Sequence, residues 1–407
     1  MPRMQSLQLV AVRTMATSFQ GTGDETLGKL LLSTPGTVAR SSVTSFTPIP
    51  PYSPDPDHTV KSLIANHDTT SIILSNNSLY TVGNNKNGQL GHGSSDANSS
   101  TPQLITDCPL AEIGTKKAVI HDKFGAAIDI EGNLHTWGQG YNNTMMSGGW
   151  LGHGSDVDGI LRPKMVESLV QDQCKVADVA IGLGHMTVLT TEGELLTCGC
   201  GSYGRLGNGE PNSSVSYLDV IEMVEMMSLD VAKINCGNEF TVILTKNGDL
   251  YSWGRNEKAQ LGVGGGMSID MYAMEEMPMA IEGQLEGKKI VDVSAGYEHT
   301  ACVTEDGELF FWGRKLFLEP NEMGKEQNVK FTSVECGRGT VFATTEEGLL
   351  FGFGEQSNVT AMRGKHGVLG LGHTKSVNNP ELVGVGGGRV VGVSVGQNHT
   401  FVEISDE

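Results

Sequence analysis

Short runs of alternating apolar and polar residues, each closed by a glycine, recur along the chain. The segments LYTVG at 79–83, LLTCG at 195–199, LYSWG at 250–254 and LFFWG at 309–313 share this form. Period-two alternation over five residues predicts strands that each turn one face toward a core. Several of these runs follow a hairpin signal, Asn247-Gly248 or Asp306-Gly307 for example, where the chain needs a positive φ. The pattern therefore predicts many short antiparallel strands linked by tight turns.

The strands repeat in register. Strand-closing glycines fall at Gly83, Gly138, Gly199, Gly254, Gly313 and Gly354, and Leu-Gly pairs follow at Gly91, Gly152, Gly207, Gly262 and Gly370, with a degenerate one at Gly28. Spacings from Gly91 run 61, 55, 55 and then 108, twice 54, so one copy has lost its Leu-Gly. Fourteen residues before each strand-closing glycine stand Thr69, Phe124, His185, Phe240, His299 and Thr340, the last members of tetrads that begin at Asn66, His121, Gly182, Gly237, Gly296 and Gly337. A seventh tetrad, 396–399, has no strand after it. Residues Met15 to Phe19, followed by Gly21, Gly23 and Leu27-Gly28, have the form of the missing half. One four-stranded blade cannot bury both its faces, whereas stacking blades radially can. The expected fold is all-β: a seven-bladed propeller of four-stranded antiparallel blades over 14–407, its ring closed by pairing the N-terminal strand with strands near 391–395 and 400–404. Residues 1–13 are left as an extension or an outer strand.

Composition narrows the function. Glycine, at 54 of 407 residues, is about twice its usual share of roughly 7%, as many tight turns require. The formal charge of −19, without any Lys/Arg cluster, disfavours direct contact with nucleic acid or an anionic membrane. No apolar run reaches the roughly 18 to 20 residues needed to span a bilayer, so a soluble chain is expected. Seven scattered cysteines suit a reducing, intracellular compartment, cytoplasmic or nuclear. Arg3 and Arg13, with no acid before Asp24, have the pattern of a mitochondrial presequence, against the reading of 7–19 as propeller strands.

The combination of G-x-x-H-T, G-x-L-Y-x-W-G and N-x-x-G-Q-L-G, with prolines at 102, 163, 278 and 380, resembles the regulator of chromosome condensation repeat. The resemblance covers about residues 14–405. His185, His299 and His399 share one repeat position and read as buried structural residues, and Trp137, Trp253 and Trp312 as packing residues. Chemistry is expected at the tetrad positions that vary, which should ring one face near the axis. No nucleophile, base and oxyanion donor converge, so no catalytic or metal site and no cofactor is assigned. The expected function is non-catalytic binding of a protein partner by a monomeric propeller. Its candidate contacts are Asp68, Asp122, Lys123, Tyr141, Trp150, Glu239, Tyr297, Glu298, Arg338 and Asn398.

The family's founding member exchanges guanine nucleotide on the small GTPase Ran, and the resemblance implies that activity as the alternative. Asp122 matches an acidic tetrad residue of that factor, and residues 139–149 match an insertion used as a wedge. The next tetrad reads Gly182-Leu183-Gly184-His185, where that factor has a second acid. Ultraviolet sensing, also found in the family, needs a tryptophan cluster and a Gly-Trp-Arg-His-Thr motif; four tryptophans are present and the motif is not. Blade six is short, its tetrad preceding the next by 41 residues. It is expected to have lost ordered turn structure or exchanged it for a partner-binding strand. Residues 264–277, rich in methionine, read as a surface insertion. Residues 23–29 (GDETLGK) imitate a phosphate-binding loop but lack the Ser or Thr that would hold Mg²⁺, and 156–159 (DVDG) reads as a turn.

Overall fold

The computed structural model describes residues 17–23, 43–48, 54–95, 97–142, 147–154, 159–264, 273–355 and 368–405. Seven four-stranded antiparallel sheets form the blades of a propeller. Six are continuous in sequence, spanning 60–104, 115–165, 176–220, 231–280, 290–323 and 331–382; they are numbered two to seven. Blade one is composite. Arg389–Val395 and His399–Ser405 supply its inner pair, Thr17–Gly23 its third strand and Val43–Pro48 its fourth. Thr17 lies opposite Ser405 and Gly23 opposite His399, so the ring closes as the repeat register requires. The strand sits slightly further along than 15–19, because Gly23, not Gly21, holds the place that Gly313 holds against His299.

Burial explains the repeat. In blades two to seven the second strand is buried at every residue, as in Phe240–Thr245 and His299–Thr304. First strands of neighbouring blades touch around the axis, where Lys117 pairs with Asp178 and Lys233 Nζ meets Asp292 at 2.7 Å. The strand-closing glycines are obligatory. Each has φ between +101° and +122°, and a Cβ there would come within 2.2–2.7 Å of the carbonyl oxygen of the residue just before the second strand. Prolines 102, 163, 278 and 380 all lie in fourth strands, on the sheet edge, where a missing N–H costs no ladder bond.

Blades are joined by a repeated clamp. After the closing glycine the chain returns through an x-Leu-Gly turn whose leucine is driven into the joint: Leu90, Leu151, Leu206, Leu261 and Leu369 are all buried. The next blade's tryptophan then donates its indole N–H to the carbonyl before that leucine. The distances are 2.8 Å for Trp137 to Gln89, 3.1 Å for Trp253 to Arg205 and 3.0 Å for Trp312 to Gln260. A hydroxyl from the turn's own blade holds the leucine carbonyl, as Thr81, Thr136 and Ser252 do at 2.7–2.9 Å. Each such bond adds about 1 kcal/mol to the burial of the ring. His185 and His399 reach across to the next blade's Thr241 and Thr70 at 3.2 and 2.9 Å. Burial pushes the His185 imidazole well below its ordinary pKa, and that of His299 down to about 3.

Blade six corrects its expectation. It has all four strands, Phe317–Met323 pairing with Leu309–Gly313. What it lacks is the x-Leu-Gly turn. Arg314 and Lys315, at φ +54° and +58°, lead a three-residue hairpin loop, 314–316, in which Leu316 N–H donates to the Gly313 carbonyl at 3.0 Å. Part of the 264–277 segment is also strand, since Met274–Ala280 is the fourth strand of blade five. In the 139–149 insertion, Tyr141–Asn142 pairs with Ser147–Gly148 as a small ladder of its own. All seven cysteines are free thiols. No helix among the described residues is long and apolar enough to cross a membrane. Residues 1–13, most of the 23–29 segment and most of 156–159 lie outside the described residues.

Candidate functional site

The variable tetrad positions do gather on one face. Backbone hydrogen bonds link five of their seven second members: Leu183 N–H donates to Asn238 O at 2.7 Å, Asn238 to Tyr297 O at 3.3 Å and Gln397 to His67 O at 2.8 Å. Glycines at the first tetrad position let the ring shrink. A Cβ on Gly182 or Gly296 would lie 2.2–2.3 Å from the histidine three residues on, and 2.4–2.6 Å from the next blade's glycine carbonyl. The result is a concavity of about 430 Å³ to which all seven tetrads contribute, among them His67, Asp122, Leu183, Asn238, Tyr297, Arg338 and Gln397.

Tyr297 and Arg338 dominate one side of it. The Arg338 guanidinium lies over the Tyr297 ring, 4.9 Å from its centroid, and both residues are half-buried. Such a stack stiffens two long side chains while leaving guanidinium N–H groups for another molecule. Burial pushes the Tyr297 phenol up, against the opposing pull of Arg338, so it stays protonated and can donate. Opposite stand Asp122 and Lys123, about a third exposed and 4.0 Å apart, with His67 Nδ1 3.8 Å from Asp122. His67 packs on His121, ring centroids 4.9 Å apart. Burial, reinforced by His67, lowers the His121 pKa to about 3.

Of the ten expected contacts, Asp68, Asp122, Lys123, Tyr297 and Arg338 line this concavity. Glu298 is half-buried beside it, and its carbonyl accepts from Arg314 N–H. Asn398 is buried. For Tyr141 the strand alone is described. Like the buried Asn398, two more residues are placed against expectation. Trp150 is 2% exposed because it occupies the turn position of Gln89 and Gln260, and its ring packs toward Phe124 in the core. Glu239 is buried between Arg205, at 2.9 Å, and Arg255, and both guanidinium groups lie against the Tyr203 ring. Its carboxylate is an internal counter-ion, not a presented contact. Three lining residues were not anticipated, Asn84, Lys86 and Asn87 of the blade-two turn. Their place just after a strand-closing glycine was the available signal, since Asn87 and Gln89 both donate to the Asp122 carbonyl, at 2.9 and 3.1 Å. Among the described residues no three His, Cys, Asp or Glu side chains are grouped to hold a metal.

Fold and face together define a seven-bladed propeller whose tetrads build a shared axial surface. The chain belongs to the RCC1-like domain family, which matches residues 19–402. It is 36% identical over 282 residues to the mouse (Mus musculus) E3 ubiquitin-protein ligase HERC2; the match takes in 65% of this chain and 5% of that protein. The ultraviolet-B receptor UVR8 of Arabidopsis thaliana is 28% identical over 342 residues, 80% of this chain and 70% of the receptor. Among solved structures, Prp20p of Saccharomyces cerevisiae superposes with a TM-score of 0.76 at 19% identity, over 97% of this chain and 92% of Prp20p. Human WBSCR16 gives 0.76 at 20% identity, covering 96% and 99%. At these identities the structural likeness concerns the fold.

Proposed function

We propose that this propeller is a non-catalytic binding module that engages a protein partner through the axial face, with Tyr297 and Arg338 as its anchor. One observation carries the reading: a half-exposed tyrosine stacked under an arginine, set in a concavity built by all seven blades. Tyr and Arg are the side chains that most often dominate protein interfaces, and truncating such an anchor typically costs 2 kcal/mol or more. Quantitative capture from a native extract, comparing the wild type with Tyr297→Ala and Arg338→Ala, tests it. At least one partner should be retained by the wild type and lost by both variants, each of which should melt within about 2 °C of wild type. Partners that bind all three proteins equally would sink the proposal.

A second reading, nucleotide exchange on a Ran-like GTPase, draws on the part-exposed carboxylate of Asp122 and the short ladder of Tyr141–Asn142 with Ser147–Gly148 in the same blade. Prp20p was described together with its binding to Gsp1p and histones. Leu183 weakens the reading, because it brings an apolar side chain to the neighbouring tetrad. Release of labelled GDP from Ran decides: acceleration by orders of magnitude that Asp122→Ala abolishes supports exchange, and an unchanged rate leaves the binding module.

A further inference from the structure

The outer rim between blades four and five carries a groove of about 340 Å³. Strand Val215–Val220 and the short helix Glu222–Met226 wall it on one side, and Met277 of strand Met274–Ala280 on the other. Its apolar lining is rich in methionine, with Met223, Met226 and Met277 beside Val215 and Val220. Met226 is 76% exposed and Met277 43%, so covering them would remove apolar area from water. Unbranched thioether side chains also adapt their shape to whatever apolar group meets them.

Two observations specify the occupant. The first is charge. Glu210, Asp219 and Glu222 rim the groove, all three exposed and without an ion pair among the described residues. Neither 206–232 nor 273–287 contains a Lys, Arg or His, so both walls are acidic throughout. A second copy of this chain would set carboxylate against carboxylate, whereas a basic segment would neutralise the rim. The second observation is the backbone. Both walls include edge strands, but these edges are already engaged. The Ser216 carbonyl accepts from Gly154 N–H at 2.9 Å, the Glu276 carbonyl accepts from Gly209 N–H at 3.0 Å, and Pro278 has no N–H to give. The sheet is therefore not extended by a partner strand, and the occupant must be held through side chains. We propose that this groove binds a basic amphipathic helix of a partner protein, its apolar stripe on the methionines and its Lys or Arg side chains over the three carboxylates. The groove shares no residue with the axial concavity and does not depend on it.

The test is a fluorescence-anisotropy titration of the full chain into a labelled peptide of sequence LKKLLKLLKKLLKL. Saturable binding is expected, and none for the counterpart LEELLELLEELLEL. Met226→Gln and Met277→Gln should each weaken binding about fivefold and Glu222→Lys about threefold. All three residues are exposed, so the variants should keep the wild-type melting temperature. Glu131→Lys, an equal change of charge on blade three, and Tyr297→Ala on the axial face should leave the affinity unchanged. Absence of saturable binding, full affinity in both methionine variants, or equal weakening by Glu131→Lys would overturn the proposal. Loss of binding in Tyr297→Ala would overturn it by placing the peptide on the axial face. Binding that appears only when 265–272 is replaced by a Gly-Ser linker would overturn it too, by assigning the groove to the chain's own segment.

Discussion

Two neighbouring joints of the ring solve the same packing problem differently. Between blades five and six, the Gln260-Leu261-Gly262 turn is held from both sides. Ser252 Oγ bonds the Leu261 carbonyl at 2.9 Å, and Thr300 Oγ1 and Trp312 Nε1 both bond the Gln260 carbonyl at 3.0 Å. Gly262 is required there, since a Cβ would lie 2.5 Å from the Trp312 indole. Between blades six and seven every equivalent group is apolar or missing: Phe311 for the serine, Val341 for the threonine, Phe353 for the tryptophan, and no turn. His299 shows the same shift. Where His185 and His399 reach a hydroxyl, His299 packs on Phe311 with centroids 5.4 Å apart. A propeller can therefore exchange a directional, hydrogen-bonded joint for an aromatic one, provided both partners change together. Among the described residues the exchange leaves a cavity of about 690 Å³ at that joint.

The largest effect should come from emptying the closed joint. Trp312→Ala removes a fully buried indole and strands the Gln260 carbonyl with a single donor, so a loss of about 3–5 kcal/mol is expected in chemical denaturation. Phe353→Ala opens onto an existing cavity and should cost less, about 2–3 kcal/mol. Equal losses would mean that the two joints are packed alike. Next come the glycines, which both joints share. Gly254→Ala and Gly313→Ala each force a Cβ to 2.6–2.7 Å from a carbonyl at φ above +100°. Each should cost about 1–3 kcal/mol, and by similar amounts, because this contact lies inside one blade. The effect that is smallest at neutral pH, and emerges only on acidification, is on pH dependence. His299, with its pKa lowered to about 3 by burial, is neutral when folded but takes up a proton near pH 6.5 when unfolded. Its contribution is complete above pH 6.5 and is lost as pH falls toward 3. Melting curves from pH 7 to 4 should fall less steeply for His299→Phe than for wild type, and identical slopes would refute the assignment.

Much of the ring was legible because its strand-closing glycines are dictated by one backbone contact that repeats from blade two to blade seven. The tetrads could be aligned from spacing alone, and five of the ten expected contacts share the axial concavity. What escaped depended on partners far along the chain. Trp150 was read as a partner contact, yet its place directly before Leu151-Gly152 makes it the turn residue that enters the core. Glu239 looked like a presented carboxylate, and only the fold reveals Arg205 and Arg255 around it. The fourth strand of blade six was hidden because its hairpin uses Arg314 and Lys315 at positive φ, where no glycine marks the turn.

The difference between the two joints is tested most directly by native-state amide hydrogen exchange on the full chain. Faster exchange is predicted at 314–327, which walls the cavity, than at 255–262, which is held by Ser252, Thr300 and Trp312. Equal exchange at the two joints, or slower exchange at 314–327, would contradict the account.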